Sequence, residues 1–194
     1  MQESTNSKVS VIVISHPAYS HLLPKALNSL PVSKDIEIVL WENKKDTLAA
    51  ACNKAILKAN GDYIVRLDAD DYVHHSLIEH EKNYLDSHPE IDCVWCDYWK
   101  KYEDRMELSP QETLEHAGGA MFRKEVWEKL GGYNADLEYQ ESFDFWLRFH
   151  KAGFKSARIE QPLYYYVQHE GSMSTNVEAR QKVRQDIIDG VYHR

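Results

Sequence analysis

The sequence predicts an α/β fold, in which a mostly parallel central sheet carries helices on both faces. Three apolar segments rich in β-branched residues lie at residues 8–15, 35–41 and 62–67. Amphipathic patterns with helical spacing separate these segments. Strands that read as solid apolar runs and alternate with helices are typical of parallel sheets covered on both sides. The first third of the chain therefore has the order β-α-β-α-β.

Each element of the first half has its own signal. The predicted strands are KVSVIVIS, DIEIVLW and DYIVRL. Apolar residues at helical spacing predict helices over residues 22–30 and 48–59. A further helix is predicted over residues 76–87, with Ser76 as the N-cap and Pro89 preventing its continuation.

The second half is less regular. IDCVWCDYWKKY predicts a long strand, and AGGAMFRKEVWEKLGGYN predicts a short strand, a helix from about Lys124 and a Gly-Gly stop. YQESFDFWLRFHKAGF predicts a helix, and KSARIE and LYYYVQH predict two strands. Because no linker or repeat interrupts the chain, we expect one domain over residues 1–194. Within it we expect residues 1–7 to be disordered and residues 175–194 to form a C-terminal helix.

Composition excludes several classes of protein. The formal charge is −8 and no basic stripe is present, which argues against a nucleic-acid partner. No apolar run approaches the roughly twenty residues of a membrane span, and MQESTNSK lacks the pattern of a signal peptide. The three cysteines do not suggest a disulfide framework. We therefore expect a cytoplasmic protein, with attachment to the inner face of the membrane as a second interpretation.

Polar residues follow each of the three predicted parallel strands. These strand ends read Ser15-His16, Glu42-Asn43 and Asp68-Ala69-Asp70-Asp71. Ligands of open α/β sheets bind beyond the carboxyl ends of the strands, so Ser15 and His16 are candidate donor contacts. Neither a dinucleotide-binding glycine motif nor a P-loop is present. A nucleotide bound at this edge would therefore need a metal ion for its phosphates.

The acidic cluster of Asp68, Asp70 and Asp71 indicates which metal ion would bind there. In an extended segment Asp68 and Asp70 project to one side and Asp71 to the other. Hard oxygen ligands with open coordination positions suit Mg²⁺ or Mn²⁺ shared with a diphosphate. Such an ion acts as a Lewis acid on a departing diphosphate. The alternative is a polar loop in which Asp71 helps to start the next helix.

Five ordered segments resemble family 2 glycosyltransferases with the GT-A fold. They are VSVIVISHPAYSHLLPKALNSL, ACNKAILKANGDYIVRLDADD, GGAMFRKEVWEKLGGYN, YQESFDFWLRF and LYYYVQHEGSMS, and together they extend from about Val9 to Ser174. The resemblance implies transfer of a sugar from a nucleotide-diphosphate sugar, most commonly a UDP-sugar, to an acceptor hydroxyl with inversion. The acceptors it implies are glycans or lipid-linked molecules.

The resemblance also implies roles for individual residues. Asp68 and Asp70 match the D-x-D motif, with Asp70 as the main metal ligand and Asp68 as a ligand that also faces the nucleotide's sugar. Glu42 matches a residue that contacts the base, and Asn53 matches the Asn of the helix beneath the donor. The segment QHEGSMS is similar to the family's donor-side loop, which makes His169 a candidate for the metal or the diphosphate.

The sequence departs from the family pattern at three places. SHPAY and WENKKD replace the usual ends of the first two strands, which bears on base recognition. The family pattern resembles E-D-x-D-x-W-x-R, and Ser142 stands where its general base is expected. A serine hydroxyl does not act as a base without a partner. We therefore predict Glu141 as the base. Asp144 is a second catalytic candidate, with a salt bridge to Arg148 as the alternative.

Three alternatives remain open. The loss of the usual base at Ser142 is compatible with a degenerate module that binds nucleotide sugars without turnover. The motif CVWC invites a zinc or redox interpretation, although it lies in a predicted strand and buried thiols are the commoner outcome. The terminal helix carries an apolar stripe that either packs against the domain or docks on a membrane surface.

Overall fold

The computed structural model describes residues 7–116, 118–169 and 175–192. Its strands are β1 (Val9–Ser15), β2 (Ile36–Glu42), β3 (Tyr63–Asp68), β4 (Tyr72–Val73), β5 (Cys93–Lys101), β6 (Met106–Ser109), β7 (Ala120–Arg123) and β8 (Ser156–Val167). Its α-helices are α1 (Leu23–Asn28), α2 (Leu48–Lys58), α3 (Leu77–Ser87), α4 (Lys124–Lys129), α5 (Glu141–Lys151) and α6 (Val177–Ile188).

The strands form one mixed sheet in the order β2-β1-β3-β7-β5-β8-β4, with β6 paired to β5. The pairs β1/β2, β1/β3 and β5/β8 are parallel, and β7, β4 and β6 run antiparallel to their neighbours. Ser15 is level with Glu42, and Ile14 is level with Asp68. The polar ends of β1, β2 and β3 therefore meet at one edge of the sheet.

Helices cover both faces, as the sequence predicts. On one face Val9, Val11 and Val13 of β1 pack in a core with residues of α1 and α3. On the other face Ile12 and Ile14 of the same strand pack with α2, α4 and α5. The alternation of one strand's side chains between two cores explains why β1 reads as a continuous apolar run.

Some predicted details differ in the structure. KSARIE and LYYYVQH belong to a single strand, β8, whose register against β5 shifts around Asp97 and Pro162. Proline cannot donate to a strand partner, so the irregularity lies where the sequence suggests a break. Ser76 lies at the N-cap of α3, but its side chain makes no capping bond and its Oγ lies 2.8 Å from Nδ1 of His74.

The chain ends also differ in part. Residues 1–6 lie outside the described residues, whereas Ser7 donates a hydrogen bond to Asp86. The terminal helix is shorter than the predicted 175–194, because α6 covers Val177–Ile188. Ile187 of α6 is buried against Leu137 and Phe143, so this part of the apolar stripe packs on the domain, whereas Val177 and Val191 stay exposed. No described helix is long and apolar enough to cross a membrane. The single-domain organisation stays a prediction.

The cysteines are structural. Cys52, Cys93 and Cys96 are all free and buried, and the last two lie within β5. Burial raises the pKa of the Cys93 and Cys96 thiols well above their usual range, which keeps both protonated and unreactive. The hydrophobic interpretation of CVWC agrees with this environment.

Glu81 of α3 is fully buried and is the clearest energetic defect in this fold. Among the residues that the structure describes, neither of its carboxyl oxygens has a hydrogen-bond partner. Burial raises the pKa of Glu81 well above the usual 4.5. The protonation of Glu81 therefore contributes most to the free energy of unfolding at pH values below 4.5. This contribution is lost as the pH rises toward the folded-state pKa, at about 1.4 kcal/mol per pH unit.

Replacing Glu81 by Met is expected to raise the free energy of unfolding at pH 7 by about 2 kcal/mol, because it removes an unpaired buried carboxyl and keeps the volume. Urea unfolding from pH 4.5 to pH 8 measures the difference in the free energy of unfolding between variant and wild type. We expect this difference to grow with pH. Glu79→Met, an exposed change on the same helix, is the control. A difference that does not vary with pH would show that Glu81 has a compensating partner.

Candidate active site

The carboxyl ends of β1 and β3 border a cavity of about 490 Å³. The 3-10 turn after β1, the loops after β2 and before β7, the start of α5, the end of β8 with the residues after it, and Arg180 of α6 complete its wall. Strand ends contribute Ser15, His16, Asp68 and Asp70; the other lining residues used below are Tyr19, Asn43, Asp46, Arg66, His116, Gln140, Glu141, Ser142, His169 and Arg180. Six of the nine predicted site residues therefore meet in one cavity: Ser15, His16, Asp68, Asp70, Glu141 and His169.

Asp68 is bound by a buried arginine on its own strand. Arg66 and Asp68 are two residues apart in β3, so their side chains lie on the same side. Arg66 Nε donates to Asp68 Oδ1 at 2.7 Å, and Nη2 donates to Oδ2 at 2.9 Å. The Arg66 side chain is only 4% exposed. Both oxygens of Asp68 are thus engaged by a guanidinium, which disfavours the predicted role of Asp68 as a metal ligand.

Asp70 has a different partner. Its Oδ2 lies 2.9 Å from Nε2 of His169, at the end of β8. Burial, followed by the charge of Asp68, raises the pKa of Asp70 above its usual range. Burial is the larger cause, so a cation bound beside Asp70 would favour the charged form of its carboxyl group.

Asp71 is part of the core. It is 1% exposed, and its two carboxyl oxygens accept from the Tyr164 hydroxyl at 2.6 Å and from the Val167 backbone at 2.7 Å. Asp71 therefore fastens the turn after β3 to β8, which brings Asp70 next to His169. The alternative role of Asp71 in starting the next helix is wrong, because that helix begins at Leu77.

The pair of Asp70 and His169 fits a divalent ion whose remaining ligands come from elsewhere. Adjacent ligands of an octahedral ion with bonds near 2.1 Å lie about 3 Å apart, close to the spacing of this pair. Within residues 7–116, 118–169 and 175–192 no three His, Cys, Asp or Glu side chains form a metal-binding group. An ion held here would depend on phosphate oxygens and water, as Mg²⁺ and Mn²⁺ commonly do.

The start of α5 brings acidic and polar groups to the same cavity. Glu141 is 8% exposed, and its Oε1 accepts from Arg66 Nη1 at 2.8 Å and from Ser142 Oγ at 3.1 Å. Gln140, directly before it, has a left-handed backbone with φ of 66°. Such a conformation costs a residue other than glycine about 1 kcal/mol, and strained residues cluster at functional sites.

Three predicted residues do not line the cavity. Glu42 is exposed and pairs with Lys44 at 3.2 Å. Asn53 accepts from Trp127 Nε1 and from the Tyr133 backbone, and donates to the Tyr133 carbonyl, so it fastens α2 to the loop after α4. Neither contact supports the predicted donor-binding roles.

Asp144 is the third of these residues. It is 1% exposed and forms a salt bridge with Arg148 at 2.7 Å. Arg148 also donates to the carbonyls of Leu130 and Gly132. The salt-bridge alternative therefore describes Asp144 better than the catalytic prediction.

Sequence reasoning missed several residues of the cavity wall. Arg66 carries the one visible signal, a charged residue inside an otherwise apolar strand. Asn43 and Asp46 follow β2 and form a turn through the two side-chain bonds of Asn43 to the Asp46 backbone. Tyr19, His116, Gln140 and Arg180 come from loops or from the terminal helix, where no local pattern marks them.

Comparison with known proteins identifies the family. The family model described as "Glycosyl transferase family 2" matches residues 24–145. The chain belongs to glycosyl transferase family 2. The putative glycosyltransferase EpsE of Bacillus subtilis is 30% identical over 142 residues, which is 66% of this chain and 51% of EpsE. The amylovoran biosynthesis glycosyltransferase AmsE of Erwinia amylovora is 24% identical over 84% of this chain and 65% of AmsE. The chain thus spans about half the length of EpsE.

Solved structures confirm the GT-A fold of this family 2 chain. S. aureus TarS in complex with UDP-GlcNAc superposes with a TM-score of 0.75 at 16% identity, over 96% of this chain and 67% of that one. The mannosyltransferase PcManGT from Pyrobaculum calidifontis, in complex with GDP-Man and Mn²⁺, gives a TM-score of 0.72 at 15% identity. That match covers 97% of this chain and 65% of PcManGT.

Proposed function

We propose that this protein transfers a sugar from a nucleotide-diphosphate sugar to an acceptor hydroxyl, with a divalent ion and with inversion. One observation carries the proposal: Asp70, His169 and Glu141 line a single cavity at the carboxyl ends of the parallel strands. Family membership and the nucleotide sugars named for TarS and PcManGT support it. A UDP-sugar is the first donor to test.

Asp70 and His169 are the residues that would hold the ion. When bound, Mg²⁺ or Mn²⁺ would neutralise charge that develops on the diphosphate leaving group. A nitrogen ligand favours the softer Mn²⁺ over Mg²⁺, so we propose manganese as the preferred ion. Ser15 and His16, at the neighbouring strand end, would contact the donor.

Glu141 is proposed as the general base. Within the described part of the chain, Arg66 and Ser142 both donate to its Oε1 and no group donates to Oε2, so Oε2 would accept the proton of an acceptor hydroxyl. We propose that Glu141 directs this hydroxyl to the side of the sugar away from the leaving group, and such attack inverts the anomeric carbon. The acceptor is proposed to be a glycan or a lipid-linked molecule. A cytoplasmic location, with docking at the inner face of the membrane, also remains a proposal.

Ser142 supports a second candidate function, a donor-binding module without turnover. The residue expected to be acidic is a serine whose hydroxyl bonds to Glu141, and Glu141 is also occupied by Arg66. The two functions differ in one measurable quantity, the release of nucleoside diphosphate from the donor.

The change Glu141→Gln is expected to slow donor hydrolysis by about 100-fold, the contribution typical of a general base. Released nucleoside diphosphate is measured with Mn²⁺ and a panel of UDP- and GDP-sugars, and donor affinity is measured in parallel. Affinity should stay close to wild type. Glu125→Gln, an exposed change on α4, is the control. Wild-type protein that binds a donor but releases no product would favour the binding module.

A further inference from the structure

We infer that Asp68 acts on the acceptor side of the reaction, through Arg66 and Glu141, rather than on the metal. These three side chains form what we name the Arg66 bridge. The inference rests on the proposed function, since it assigns two positioning residues to the base of that reaction. Arg66 and Asp68 need not touch the substrate in this role.

The guanidinium of Arg66 connects the end of β3 to the start of α5. Two of its nitrogens bind Asp68 at 2.7 and 2.9 Å, and the third binds Glu141 at 2.8 Å and approaches Ser142 at 3.4 Å. A bidentate contact fixes the plane of a guanidinium, because both donors must meet both oxygens. Asp68 therefore determines the direction in which Arg66 presents its third nitrogen to Glu141.

One end of the Arg66 bridge lies in the sheet, and the other lies at the start of a helix. Asp68 is fixed by the sheet, since it is level with Ile14 and the next residue, Ala69, donates to the Ile14 carbonyl at 3.2 Å. Glu141 is the first residue of α5 and follows the strained Gln140. The first residues of a helix lack intrahelical partners for their N–H groups, so this end gains order from side-chain contacts. Arg66 thus transfers the order of the sheet to the catalytic carboxylate.

Nearby ionisable groups do not compete for this role. Burial raises the pKa of the Cys52 thiol to about 12 and lowers the pKa of His116, so both are neutral near pH 7. Burial also raises the pKa of the Tyr133 hydroxyl, which stays neutral as well. Arg66 is the positive charge that Asp68 and Glu141 share.

Two double-mutant cycles test the bridge. The first combines Arg66→Lys with Glu141→Gln, and the second combines Asp68→Asn with Glu141→Gln. Donor hydrolysis and the Kd of the donor with Mn²⁺ are measured for every variant. We expect Arg66→Lys and Asp68→Asn each to slow hydrolysis by about 100-fold, because a base displaced by about 1 Å loses that much. Neither should change the donor Kd by more than about threefold.

The decisive result is that the double variants show no further decrease in the rate of donor hydrolysis. If Arg66 and Asp68 act through Glu141, each double variant hydrolyses donor as slowly as Glu141→Gln alone. Additive losses, or an Asp68→Asn variant that no longer binds donor with Mn²⁺, would overturn the inference and return Asp68 to the metal. Arg148→Lys is the matched control, since Arg148 pairs with a buried carboxylate of the same helix outside this cavity. The effect of Arg148→Lys on the rate of donor hydrolysis should be additive with that of Glu141→Gln.

Hydrogen exchange separates failure of this inference from failure of the proposed function. Arg66→Lys and Asp68→Asn should accelerate amide exchange in the first hydrogen-bonded turn of α5, which begins with the Asp144 amide that donates to the Gln140 carbonyl. We expect an acceleration of at least about tenfold, with exchange in α2 and α3 unchanged. This measurement needs no turnover, so it decides the positioning role even for a protein that hydrolyses no donor. Unchanged exchange at α5 in both variants would contradict the bridge. If Arg66→Lys does not fold, the more conservative Asp68→Asn carries both measurements.

Discussion

Replacing Asp70 by Ala is expected to abolish the manganese-dependent part of donor binding. Oδ2 of Asp70 lies 2.9 Å from Nε2 of His169, and these are the two metal ligands that we propose, so loss of the carboxylate removes one of the two. Loss of a group that merely orients a metal ligand costs about 10- to 100-fold in affinity, and loss of a direct ligand should cost at least about 100-fold. Calorimetric titration with UDP and Mn²⁺ measures the change.

The control for this experiment is Asp104→Ala, which removes an exposed carboxylate distant in sequence from the cavity wall. Asp104→Ala should bind UDP with Mn²⁺ with the same Kd as wild type. For Asp70→Ala, we expect the Kd in Mn²⁺ to equal the Kd that wild type shows in EDTA. An Asp70→Ala variant that still responds to manganese would exclude Asp70 as a ligand. His169→Ala, measured in the same way, should also weaken binding of UDP with Mn²⁺, but by a smaller factor.

Replacing Arg66 by Met is expected to lower the free energy of unfolding by about 3 to 5 kcal/mol. The change leaves Asp68 and the buried Glu141 without a countercharge, and removal of one partner from a buried ion pair typically costs this much. For a chain of this size the melting temperature should fall by roughly 10 °C. Thermal and urea unfolding of the same samples provide the measurement.

A charge-balanced variant tests the cause of that loss. Arg66→Met combined with Asp68→Asn and Glu141→Gln removes all three charges, so part of the lost stability should return. Arg105→Met, which breaks an exposed salt bridge with Asp104 and Glu107, should leave the melting temperature close to that of wild type. If the triple variant is no more stable than Arg66→Met alone, the loss reflects packing of the long side chain rather than charge.

The parallel half of the fold could be predicted from sequence because its signals are local. Each of β1 and β3 is buried on both faces, which produces the continuous apolar runs, and the spacing of alanines and leucines gives α2. The second half has weaker signals. β6 is a short and exposed edge strand without alternation, so no pattern marks it. The union of two predicted strands in β8 depends on pairing with β5, which is a tertiary contact.

The same distinction applies to the candidate site. The rule that ligands bind at strand ends predicted the neighbourhood of Ser15, His16 and Asp70, because strand ends are visible in the sequence. The contact between Arg66 and Glu141 joins residues 75 positions apart, and no local pattern reports such a contact. Asn53 and Asp144 have suitable chemistry, but the fold uses them for internal bonds to Trp127 and Arg148. Residue type and spacing therefore identified candidates, and packing decided their roles.

The proposed donor site is tested by a calorimetric titration of the wild-type protein with UDP, GDP and their sugar derivatives, each with Mn²⁺ and again with EDTA. We expect that at least one of these nucleotides binds with Mn²⁺ and that EDTA abolishes most of the affinity. Binding that is equally strong in EDTA would contradict the role of Asp70 and His169, and the absence of binding to any of them would contradict the donor site itself.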